Sequence, residues 1–132
     1  YISRNGRVDG YYSGYTFANQ LGVTTQVPYM VEIVSNNASA RVREVNLHGR
    51  RVLLRKARVL VTKENYRILQ FLDFLKDIDQ YADENDKILS DRIRKYVVDV
   101  QIKKTEIDCY IKQYPDRIYR YIYEMRLYDV FA

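Results

Sequence analysis

The chain has 132 residues and a formal net charge of +5, with 47% hydrophobic and 30% charged residues. That length allows one compact domain with its own core and is too short for two independent ones; no apolar run is long enough to span a membrane. A lone cysteine, Cys109, excludes an internal disulfide and a cysteine cage for a metal, and points to a reducing cytoplasm.

No charged start followed by an apolar stretch marks a secretory signal, and the first residue is Tyr1 rather than Met, so an upstream module is expected. Val8 to Tyr12 reads as a strand broken by Gly10. Ser13-Gly14 opens a short helix carrying Tyr15, Phe17, Ala18 and Leu21, with Gly22 placed to end it. Thr24 to Val27 is extended, because Pro28 biases the residue before it away from helix. Tyr29 to Val34 alternates and is rich in β-formers, which makes it a strand, and Ser35-Asn36-Asn37 is a turn.

Next comes the main charge feature. Between Arg41 and Arg58 lie seven cations and one acid, Glu44, a local charge of +6 that leaves −1 for the rest of the chain. The cations are Arg41, Arg43, Arg50, Arg51, Arg55, Lys56 and Arg58. The segment predicts a β-hairpin turning at His48-Gly49, which pairs Leu47 with Arg50, Val45 with Val52 and Arg43 with Leu54. The face holding Arg43, Val45, Leu47, Arg50, Val52 and Leu54 is the more apolar and is expected to pack inward. Arg51 and Arg55 then point to solvent. Concentrated positive charge favours a polyanion or an acidic protein surface, and a two-stranded ribbon is narrow enough for a DNA groove. The competing reading is a solvated hairpin neutralised by the chain's own acids.

From Thr62, placed as an N-cap, the period becomes helical, with Ile68, Phe71, Leu72, Leu75 and Ile78 on one stripe. Asp73 to Asp86 holds six acids against Lys76 and reads as a helix end followed by a solvated linker. Leu89, Ile93, Tyr96, Val97 and Val100 form a second stripe, and Thr105 is placed to cap a third helix through Ile107 and Ile111. Pro115 suits the first position of a fourth, with Ile118, Ile122 and Met125 inward. Fourteen tyrosines and no tryptophan suit shallow cores and interfaces. Alternation at Tyr119, Tyr121 and Tyr123 spreads those rings over several helix faces and argues against a stacking platform for bases.

These elements predict an α+β fold in a single domain, 1–132. A strand-rich half (1–61) has a small mixed or antiparallel sheet and one short helix, and a helical half (62–132) has three to four helices.

Little here is catalytic. His48 sits at a turn tip without a second histidine or a cysteine nearby, and no phosphate loop or zinc spacing occurs. A metal-dependent nuclease needs an acid on one strand and an E-x-K pair on the next; Glu32 is on a strand, but the hairpin lacks the pair. Asp79, Asp83 and Asp86 lack the glycine and closing glutamate of a calcium loop. Cys109, in an apolar helical pattern, reads as inert. No catalytic residue, metal ligand or cofactor is expected.

One stretch carries a resemblance. Gly10-Tyr11-Tyr12-Ser13-Gly14, then Asn19-Gln20-Leu21-Gly22-Val23-Thr24-Thr25-Gln26-Val27-Pro28, resembles the C-terminal module of AbiEi-type antitoxins of type IV toxin-antitoxin systems. Val31-Glu32-Ile33-Val34-Ser35-Asn36, the basic hairpin and the exit Thr62-Lys63-Glu64-Asn65 into Tyr66-Arg67-Ile68-Leu69-Gln70 are similar to it as well. The likeness covers about residues 10 to 80. It implies a bacterial, non-enzymatic antitoxin and transcriptional regulator. Its partners would be a nucleotidyltransferase-like toxin and promoter DNA. In that family a winged helix-turn-helix precedes the module, and this chain has none, so direct DNA reading by this segment is left open. The other two readings are a metal-dependent nuclease and a scaffold that self-associates through its Tyr-rich C-terminal helices.

Overall fold

Alternation along Arg50–Lys56 buries Val52 and Leu54, and that strand lies inside the sheet rather than at its edge. The computed structural model describes residues 1–26, 30–39, 41–81 and 86–132. The fold is α+β. Strands β1 (Ser3–Arg4) and β2 (Arg7–Val8) form a small hairpin. A four-stranded sheet has the order β3 (Gly10–Tyr12), β4 (Val31–Ser35), β6 (Arg50–Lys56), β5 (Val42–Leu47). Strand β4 runs antiparallel to β3 and parallel to β6. The β5–β6 hairpin has the expected register: Leu47 faces Arg50, Val45 faces Val52 and Arg43 faces Leu54. His48 and Gly49 both take positive φ, 52° and 81°, the condition for a two-residue turn whose twist matches its strands. The Asn46 side chain supports it by accepting from the Gly49 N–H.

Helix α1 (Gly14–Leu21) starts and stops as the sequence indicates, with Gly22 at φ 77° closing it in the left-handed conformation. The remaining helices are α2 (Tyr66–Lys76), α3 (Ile78–Tyr81), α4 (Asp86–Val100), α5 (Lys104–Tyr110) and α6 (Arg117–Glu124). That makes five after α1 among the described residues, more than the three to four expected.

Several local expectations are corrected. The strand expected over Val8 to Tyr12 is two elements, and Gly10 begins the second because only a glycine fits there. Thr62 does not cap α2. It exchanges bonds with Asn65 in the preceding turn, each side chain accepting from the other's N–H, so the helix starts at Tyr66. Thr105 lies inside α5, one residue beyond its start, and α6 begins two residues after Pro115. Cys109 is exposed rather than part of an apolar stripe. The Val27-Pro28 segment and the strand start at Tyr29 lie outside the described residues.

The larger hydrophobic cluster joins Tyr11, Phe17 and Val34 to the apolar stripes of α2, α4, α5 and α6. The hairpin face expected to turn inward does so, but against a smaller cluster on the other side of the sheet: Ile33, Ala38, Val52 and Leu54, with Ile2 packed on it. On the helix side, α1 packs on β4 and α2 on β3. Beside them β4 and β6, with Val42 at the start of β5, form the floor of an open cleft.

Gly10→Ala tests the edge of this arrangement. A Cβ at Gly10 would stand 2.3 Å from the Val34 carbonyl oxygen and 2.6 Å from that of Tyr1, both backbone atoms. The expected loss is about 1–3 kcal/mol, read as a lower urea midpoint at unchanged slope. An unchanged midpoint would contradict the packing of β3.

Candidate functional site

The hairpin's alternation divides its cations. Arg43 and Arg50 lie on the face shared with Val52 and Leu54, although both side chains are exposed. Arg51 and Arg55 lie on the opposite face, the helix side of the sheet. Arg51 is not simply solvated: its Nε stands 2.5 Å from a carboxylate oxygen of Glu44. That bond holds the Glu44 carboxyl below the usual carboxylate range. Arg58 is folded back as well, donating to the Gln113 carbonyl at 2.8 Å with its guanidinium 5.1 Å from the centre of the Tyr114 ring. Arg41, Arg43, Arg50, Arg55 and Lys56 enter no ion pair among the described residues. Of the seven predicted site residues the cleft gathers four, Arg41, Arg55, Lys56 and Arg58. Arg43, Arg50 and Arg51 are not part of it.

The cleft has a volume of about 1090 Å³. Its floor is β4 and β6, and its far wall is the start of α1, the end of α2, and α3. Three acids line it, none as free as the sequence implied. Glu32 reaches from β4 to the start of α1, where its carboxylate accepts the Tyr15 N–H at 2.8 Å. The Thr16 hydroxyl returns the contact by accepting the Glu32 N–H. This is an N-terminal cap supplied by another element. Gly14, at φ 55°, leaves room for it, since a Cβ there would lie 2.3 Å from the carboxylate. Asp77 pairs with Lys76 and, at 3.1 Å, with Arg117, whose Nε also donates to the Lys76 carbonyl at 2.6 Å and so closes the end of α2.

Asp73 corrects the expectation of a solvated acidic linker most sharply. It accepts a hydrogen bond from the Tyr11 hydroxyl of β3, 62 residues away. Burial raises its carboxyl above the ordinary range, while the Tyr11 bond, Lys76 and Arg58 oppose that shift without reversing it. Burial and then the Asp73 charge raise the Tyr11 hydroxyl in turn, and burial raises Tyr114 beside it. Elsewhere in the core, burial pushes Tyr96 up to about 12. Ser13 lines the same wall, is only 6% exposed, and its hydroxyl has no hydrogen-bond partner among the described residues.

Sequence reasoning missed Tyr11, Ser13, Asp73 and Lys76 as site residues. The available signal was Asp73 itself, one of only two polar residues in the otherwise apolar run from Ile68 to Leu75.

Among the described residues no three of His, Cys, Asp or Glu are grouped to hold a metal ion. Glu32, the acid a nuclease reading would use, is engaged at the α1 start. Asp79 accepts from the Tyr121 hydroxyl at 2.8 Å, and the side chains of Asp83 and Asp86 lie outside the described residues. His48 is an exposed turn residue. No helix among the described residues is long and apolar enough to cross a membrane. Comparison with known proteins finds no matching family model, no matching curated protein and no matching solved structure.

The Tyr11–Asp73 pair makes stability depend on pH. Because the folded state holds the Asp73 proton more tightly than the unfolded chain, this stabilisation is complete below the unfolded pKa. It is lost as pH rises through the folded one. Asp73→Asn removes the titration, so its stability relative to wild type should rise as pH climbs from about 4 upward. Tyr11→Phe should cost about 1–3 kcal/mol, because the buried Asp73 carboxyl loses its donor. Urea unfolding across that range checks both, and parallel pH profiles for wild type and Asp73→Asn would refute the assignment.

Proposed function

We propose that this chain is a non-enzymatic, antitoxin-like regulatory module of the bacterial cytoplasm that works by binding. Its basic hairpin captures a cognate nucleotidyltransferase-like toxin and assists contact with promoter DNA. The observation that carries the reading is that Arg50, exposed beside the hairpin turn, and Arg43, exposed on the outer strand β5, have no ion pair among the described residues. Strand β4 pairs with β6 only from Val52 onward, so the turn and Arg50 extend beyond the sheet's central pair, while Arg43 lies on the outer strand β5 opposite Leu54. Exposed charges at such a projection raise encounter rates with an acidic surface and neutralise phosphates where the partner is DNA. The antitoxin resemblance over residues 10 to 80 supplies the partner class.

Self-association is a second reading, favoured by Tyr119 and Tyr123, which are 42% and 82% exposed and one turn apart on α6. Light scattering across concentration checks it: a mass that rises with concentration supports a scaffold, and a constant monomer mass rejects one.

For the primary reading, Arg43→Glu with Arg50→Glu should abolish capture of the toxin while cooperative unfolding is preserved. If DNA is bound, the slope of log K against log salt should shrink by about 0.9 for each phosphate that the variant no longer neutralises. A double variant that holds both partners as well as wild type rejects the hairpin as the contact.

A further inference from the structure

The cleft has charges of both signs; its three acids are all engaged, and so are two of its five cations, Lys76 and Arg58. Glu32 is bound at the start of α1, Asp77 is paired with Lys76 and Arg117, and Asp73 accepts from Tyr11. Against these stand Arg41, Arg55 and Lys56, without an ion pair among the described residues. Five cations line the space against three acids, so it is faced by net positive charge.

The shape narrows the class of ligand. A volume of about 1090 Å³ is at the top of the range of roughly 300–1,000 Å³ typical of small-molecule sites and far exceeds a bare ion. One wall is aromatic, with Tyr15 and Tyr81 in edge-to-face contact at 4.9 Å, and Val34 and Ala57 add apolar surface. Three unmatched cations suit a dianion better than a single carboxylate, and the arginine fork fits phosphate oxygens in pairs. We propose that the cleft binds a small phosphate ester, its phosphate held by Arg41 and Arg55 and its body against Tyr15 and Tyr81. This ligand site is separate from the partner contact at Arg43 and Arg50.

The test uses phenyl phosphate and inorganic phosphate as probes, titrated into the whole chain at low salt by calorimetry. Phenyl phosphate should saturate and bind roughly tenfold more tightly than inorganic phosphate, because only the ester reaches the aromatic wall. Arg41→Ala with Arg55→Ala should weaken it by roughly tenfold or more, whereas Lys103→Ala with Lys112→Ala, an equal loss of charge outside the cleft, should change it by less than about twofold. Equal affinity for the two anions, or equal weakening by the cleft and control variants, would overturn the proposal. Arg43 and Arg50 are untouched throughout, so partner capture by them is scored separately.

Discussion

The bond between Tyr11 and Asp73 ties the sheet to the helices. Tyr11 is fixed on β3 by its pairing with Val34, and Asp73 projects from α2, whose apolar stripe fills the larger core. Tyr114, which follows the turn after α5, stands beside the Tyr11 hydroxyl, and Arg58 from the exit of β6 lies over the Tyr114 ring. Four segments far apart in the chain thus converge on one buried carboxyl. Such a group adds little net stability when satisfied and a large penalty when its partner is removed, so its main effect is to specify how β3 meets α2.

That placement has a consequence for the rest of the face. With α1 and α2 seated over β3 and β4, the β6–β5 half of the sheet has no helix packed closely upon it, and a cleft forms where a third layer would otherwise lie. The acids bordering this space are used in construction: one begins α1, one closes α2, and one joins α2 to β3. The arginines on the hairpin have no comparable structural duty, apart from Arg51 with Glu44 and Arg58 with Gln113.

Much of this is legible from local chemistry. The positive-φ turn at His48-Gly49 and strict alternation along Val52 and Leu54 set the hairpin register, and Gly22 marks the end of α1. What lies beyond local reading is long-range. Nothing in residues 50 to 56 indicates that the strand runs parallel to β4, or that the face bearing Arg55 looks toward helices rather than open solvent. Asp73 resembles its acidic neighbours in sequence, and its partner lies 62 residues earlier. The helix start expected at Thr62 is displaced because a threonine's capping oxygen serves equally well in a preceding turn, and α5 begins one residue before Thr105.

The most direct measurement is a carboxyl-detected NMR titration of Asp73 and Glu44 in the intact chain. The account predicts that Asp73 titrates well above about 3.9, the ordinary aspartate value, and Glu44 below about 4.3. An Asp73 midpoint at the ordinary value would mean that its carboxyl is solvated rather than buried against Tyr11. The junction between sheet and helices would then need another explanation.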